Sequence, residues 1–223
     1  MSPGKATPIL QTWLSIWNGA DWRQAVPISN SGTSATVRRS SMRHWSEIAI
    51  LSFWVLVCIR APDKSEVQPH ADMLEGVLMG GGRPVLVLPA DWTGETVGNR
   101  AVVAWDASRE AARALHDSML VLSDDAKVWI AAVDANPGET GYGQAPGWDV
   151  GAHVSRHGYK VEVRNEDSTG RSVPHVLLDL ATSCDADLIV LGGYRHSRLQ
   201  QSVLPGVTRT LLRTSKVPLL LSH

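Results

Sequence analysis

Two cysteines, Cys58 and Cys184, are all that the 223 residues hold. They cannot make a disulfide framework, so a reducing cytosol is the expected compartment. Charge of one sign is also missing, with a formal net charge of -1. That gives no electrostatic reason for a nucleic acid or an anionic membrane surface as a partner. No apolar run is long enough to cross a bilayer. The longest, Ile48 to Ile59, has 12 residues, against roughly 20 for a spanning helix, and reads as a buried strand or a short core helix. A charged-then-apolar signal pattern is lacking too, because Pro3, Gly4 and Pro8 interrupt the start. The expectation is a cytoplasmic protein without a membrane segment. What remains is ordinary, at 43% hydrophobic and 19% charged residues, and this excludes collagen-like, coiled-coil and wholly disordered classes.

The two parts of the chain differ. Residues 1–66 carry 7 Lys/Arg against 4 Asp/Glu, while residues 67–223 carry 14 against 18. Five of the nine tryptophans, Trp13, Trp17, Trp22, Trp45 and Trp54, sit in the first stretch. Between Ser29 and Met42 a Ser/Thr/Arg-rich run shows no period of 2 or 3.6, so residues 1–66 read as an irregular N-terminal region. From Met73 to Met79 the pattern is helical, and Gly80, Gly81 and Gly82 end it. Pro84–Pro89 follows as a short buried strand bounded by prolines, and 90–99 read as a polar linker.

From Arg100 strands and helices alternate. Ala101–Trp105 is an apolar strand, Asp106 to Ser108 a turn, and Ser108 a fit helix N-cap. Ala112, Leu115, Met119 and Leu122 then mark one helical face. Val128–Val133 is a strand, and 134–148 a long loop with two prolines and four glycines. A short helix around Val150–Arg156 leads to a strand at Lys160–Arg164. Pro174 suits the first turn of a helix whose inner face is Val173, Leu177, Leu180 and Cys184, with Cys184 a buried thiol. Leu188–Leu191, Val207–Arg213 and Val217–Leu221 read as strand, helix and strand. Such alternation implies parallel pairing with right-handed crossovers, a doubly wound α/β domain at 100–223. Ligands in such sheets bind beyond the carboxyl ends of the strands, so the segments after Trp105, Val133 and Leu191 are where chemistry is expected. An offset of 134 residues sets Pro84 on Pro218 and Val77-Leu78 on Leu211-Leu212, a partial internal repeat.

The densest motif runs from Leu188-Ile-Val-Leu-Gly-Gly-Tyr-Arg-His-Ser-Arg to Gly206-Val-Thr-Arg-Thr-Leu-Leu. A strand leaves the sheet at Gly192 and Gly193 and a helix opens at Gly206, which turns backbone amides toward an anion. Together with the closing Val-Pro-Leu-Leu-Leu-Ser-His, and with Val102-Val-Ala-Trp-Asp-Ala-Ser-Arg-Glu-Ala-Ala, it resembles the universal stress protein family over 100–223. The likeness extends weakly to 67–99, which look like the end of a preceding copy in a tandem member. The resemblance implies a five-stranded parallel sheet of order 3-2-1-4-5 that often dimerises through its fifth strand. It also implies, for some members, ATP bound by a Gly, two residues, Gly, nine residues, Gly, Ser/Thr motif.

On that motif Gly192 matches, while Arg195, Pro205 and Gly206 stand where glycine, glycine and a hydroxyl residue belong. The candidate nucleotide contacts are Asp106, Val133, Gly192, Arg195, Gly206, Val207 and Thr208. Arg195 is bulky and Pro205 has no N–H to donate. One lost donor to a charged group costs ~1.5–3 kcal/mol, roughly 10- to 100-fold in affinity. Arg195 and Arg198 offer charge in return. Asp106 reads equally well as a plain turn aspartate.

No catalytic set and no metal set is expected. Gly80-Gly81-Gly82 precedes a strand instead of following one, so it is not read as a phosphate cradle. His153 and His157 share a helical face but lack a third ligand. His196 and Ser197 read as loop residues.

The expectation is a non-enzymatic stress-response protein that acts by self-association through Val217–Leu221, or by internal pairing of that strand with Pro84–Leu88, and binds ATP weakly at most. The alternative is an ATP-binding or ATP-hydrolysing α/β enzyme of the same fold. Residues before about Asp63 read as a truncated or frame-shifted first copy.

Overall fold

Runs of valine, leucine, isoleucine and alanine make the inner strands over residues 85–222, because apolar side chains suit a pleated surface buried on both faces. The computed structural model describes residues 36–37, 46–50, 55–59, 74, 76–89, 92–94, 96–138, 145–193 and 206–223. Three short strands come first: β1 (Thr36–Val37), β2 (Ser46–Ile50) and β3 (Val55–Ile59). A helical stretch over 76–81 leads to β4 (Val85–Pro89). The regular alternation then follows: β5 (Arg100–Ala104), α1 (Arg109–Ser118), β6 (Lys127–Val133), α2 (Trp148–Arg156), β7 (Lys160–Glu166), α3 (Val173–Ser183), β8 (Leu188–Gly192), α4 (Gly206–Thr214) and β9 (Leu219–Ser222).

All nine strands join one sheet in the order β1-β2-β3-β4-β9-β8-β5-β6-β7. Strands β5 to β9 pair in parallel throughout. Numbered within 100–223 they stand in the order 3-2-1-4-5, as the family resemblance implies. Strand β4 lies antiparallel beside β9, with Val85 opposite Leu221 and Val87 opposite Leu219. On its other side β4 pairs in parallel with β3, Val55 opposite Val85. The same separation of 30 residues joins β8 to β9, Ile189 opposite Leu219. Strand β2 breaks the correspondence by running antiparallel to β3, whereas β5 runs parallel to β8.

Apolar side chains fill both faces of the sheet. One layer joins Leu74 and Leu78 to α3, α4 and the buried strand positions Val85, Val102, Ile189, Leu219 and Leu221. The other joins α1 and α2 to Leu86, Leu88, Val103, Ile130, Val190 and Leu220. Two glycines let α2 lie close to its strand. A Cβ on Gly151 would stand 2.8 Å from Val163, and Gly147, at φ +82°, would meet the same side chain at 3.0 Å. The far edge is protected by charge: Glu162 on β7 sits 3.3 Å from Lys127 and pairs with Arg164. Trp129 Nε1 donates to Glu162 at 3.1 Å. Partial burial pushes the Glu162 carboxyl up, but Lys127, Arg164 and Trp129 outweigh it and hold the group below the usual carboxylate range.

Several details depart from the sequence expectation. Strands occupy part of 1–66, and the Ile48–Ile59 run is split between β2 and β3. The inner face of α1 is Ala111, Ala114, Leu115 and Ser118, and Ala112 is exposed. Alanine is small enough to sit on either side, so the spacing alone chose the wrong neighbour. Met119 caps α1 and Leu122 lies beyond it. Cys184 is the half-buried cap of α3, not a fully buried thiol, because the chain turns there into Asp185 at φ +50°.

The segment before β5 is docked, not a free linker. The Asp187 carboxylate accepts the backbone N–H groups of Gly98, Asn99 and Arg100 at 3.0, 3.0 and 2.9 Å. Val97 is buried there.

Candidate functional site

The reversal of strand order fixes where a ligand would sit. From β5 the chain passes to β6 on one side, and from β8 to β9 on the other, so the crevice expected of such folds would lie beyond the carboxyl ends of the adjacent strands β5 and β8. The segment leaving β5 is Trp105-Asp106-Ala107-Ser108. Trp105 is half-buried against the α1/α2 layer, and its N–H donates to Ala131. Asp106 is half-buried and its Oδ1 accepts the Ser108 N–H at 3.1 Å. That turn forces Ala107 to φ +56°, the left-handed region that disfavours a side chain. Ser108 caps α1, its Oγ accepting from Ala111 N–H at 3.0 Å.

Gly192 ends β8 against that same helix start. A Cβ there would lie 2.6 Å from both Ala111 N and the Glu110 carbonyl carbon. Glycine is therefore required by the approach of α1 to the sheet, whatever it offers a phosphate. Gly193 is less rigidly confined: its Cβ would lie 2.5 Å from Leu78 Cδ2, the movable end of a side chain. Its N–H donates to Ser222 at 2.7 Å, and His223 Nδ1 donates to its carbonyl at 3.1 Å.

Neighbouring loops close the same edge. Val133, half-buried, ends β6. Asp134 beyond it takes φ +53° and accepts the Ser168 N–H through Oδ1 at 2.8 Å.

Helix α4 runs back from the carboxyl edge to β9, so Gly206, Val207 and Thr208 open it on the side where Gly192 ends β8. Gly206 is exposed, with no described residue within 4 Å of a Cβ on it, Val207 is half-buried and Thr208 is buried. Fold topology thus brings Asp106, Val133, Gly192 and the start of α4 to one edge. Arg195, with His196, Ser197, Arg198 and Pro205, lies outside the described residues.

Glu110 was not foreseen. It is buried in the first turn of α1 beside Gly192, with Arg109 3.3 Å away. Its place just after the Ser108 cap is the available signal, since a carboxylate there suits the helix dipole. Its ion pair with Arg109 balances the charge at that turn.

A family model for universal stress proteins matches residues 99–223. The chain belongs to the universal stress protein family. Membership supports a role in stress response. A comparison with curated proteins finds no significant match. Among solved structures, a universal stress protein from Archaeoglobus fulgidus DSM 4304 is 23% identical with a TM-score of 0.58, covering 76% of this chain and 60% of that one. The chain thus spans about 60% of the length of that protein. A protein from Mycobacterium tuberculosis H37Rv is 28% identical with a TM-score of 0.37, covering 57% of this chain and 97% of that one. The Archaeoglobus structure shares the α/β fold of this universal stress protein. Among the described residues no helix is long and apolar enough to cross a membrane, and no group of three or more His, Cys, Asp or Glu side chains could hold a metal ion.

Proposed function

We propose that this universal stress protein is a non-enzymatic, cytoplasmic binding module whose association strand is satisfied within its own chain. One observation carries the reading. Strand β9 would be the edge of the five-stranded unit, and β4 of the same chain occupies that edge. An apolar strand such as Leu219-Leu-Leu seeks a partner, and an internal one removes the need for a second chain. Residues 67–99 then represent the tail of a partial first copy, which the correspondence of β3 with β8 extends back to Val55. The offset of 134 residues carries Val55–Ile59 onto Ile189–Gly193 and Val85–Pro89 onto Leu219–His223, which agrees with the shared 30-residue register. Light scattering after size exclusion tests this. A monomer is expected; a dimer abolished by a proline at Leu220 but not by one in β7 overturns it.

Nucleotide binding is weak in this reading. Arg195 and Pro205 depart from the family's ATP motif, and Gly206 lacks the hydroxyl that the motif places there. Calorimetric titration with ATP is expected to give no micromolar affinity, and a micromolar constant refutes it.

A second reading, an ATP-binding or ATP-hydrolysing enzyme, is favoured by Asp106 standing at the switch point between β5 and β8. Mass spectrometry of the native protein for a co-purifying nucleotide, and a single-turnover assay with labelled ATP, separate the two.

A further inference from the structure

Helix α2 lies away from the crevice and carries two histidines that no step above uses. His153 is in its last turn and His157 caps it, and both are exposed. Their spacing of four residues puts the side chains one above the other on the helix surface. The ring centroids are 4.8 Å apart and the ring planes cross at 68°. Two imidazoles sharing one ion each hold it at roughly 2.0–2.1 Å through nitrogen, which places their centroids roughly 4.5–5.3 Å apart for ligand angles of roughly 90–110°. The observed separation falls inside that window without any change of backbone.

We propose that His153 and His157 form a bidentate surface site for a divalent transition-metal ion that favours imidazole, the class of Zn²⁺, Ni²⁺ and Cu²⁺. Solvent water fills the remaining positions. Asp149, one turn before His153 on the same side of the helix, adds negative charge near the ion. With two protein ligands the site is open and exchanges its metal, unlike a closed structural site. Bound metal would tie the last turn of α2 to its cap. The site is independent of the crevice, so its test does not depend on the proposed function.

The test is a calorimetric titration of the untagged full-length protein with Ni²⁺, repeated for His153→Gln, His157→Gln and the double variant, with His175→Gln as control. Both residues are exposed, and thermal melts confirm that the variants fold. Chelation predicts that either single change weakens one site at least tenfold, that the double change adds little more, and that the control binds like the parent. The proposal is overturned if the single variants bind Ni²⁺ as the parent does. Independent, additive losses from the two changes, which mark separate one-ligand sites, overturn it as well.

Discussion

Gly192→Ala separates a glycine kept for packing from one kept for a ligand. The added Cβ would stand 2.6 Å from Ala111 N and from the Glu110 carbonyl carbon, and 2.9 Å from Glu110 Cβ. Comfortable contact begins near 3.5 Å, so the overlap is about 1 Å. Two of the three obstacles are backbone atoms, which no rotamer change can remove. Relief requires lifting α1, and that helix seats Ala111, Ala114 and Leu115 in the core. Overpacking of this kind costs about 1–3 kcal/mol, and backbone obstacles place it at about 3 kcal/mol. For a chain of this size that corresponds to a fall in Tm of about 6–12 °C. Gly206→Ala is the control, since no described residue lies within 4 Å of a Cβ there and its stability should change by less than about 0.5 kcal/mol. Thermal and urea unfolding of the two variants decide the matter. A Gly192→Ala protein that melts within about 2 °C of the parent refutes the packing explanation.

Three further outcomes follow from the geometry. Ala107→Gly should stabilise by about 0.5–1 kcal/mol, because φ +56° strains alanine more than glycine's extra unfolded entropy costs; a lower urea midpoint than the parent's would contradict this. Asp187→Ala should cost about 2 kcal/mol in urea unfolding, since three backbone N–H groups lose their carboxylate acceptor, and Asp187→Asn should recover part of the loss. Glu162 has a depressed folded pKa, so its contribution is present above the ordinary carboxylate range and is lost as pH falls through the depressed value. Melts at neutral pH and near pH 3 should therefore show a smaller acid loss in Glu162→Gln than in the parent. The difference should stay under about 1 kcal/mol because the group is solvent-screened, and an unchanged or larger loss would count against the pairing with Lys127 and Arg164.

The neighbours of a residue in sequence were enough to read much of this protein. Apolar runs mark β4, β5, β6, β8 and β9, Ser108 caps α1 as its type and place suggest, and Pro174 opens α3. Such features are local, since a cap or a strand depends on a few adjacent residues. The glycine pair and Asp106 fall on one edge of the sheet because strand ends in a doubly wound fold share one side.

Only the tertiary structure shows what confines Gly192. A backbone that approaches within contact distance comes from α1, more than 80 residues earlier in the chain, and no spacing rule records it. The same holds for Glu110, whose burial depends on β8 lying beside it. The anchoring of Gly98 to Arg100 by Asp187 is likewise a contact between distant segments, and the structure selects the internal pairing of β4 with β9, one of the two pairings the sequence offered. Side-chain pattern tells a strand which faces to bury, whereas the choice of neighbour is made by how whole layers pack.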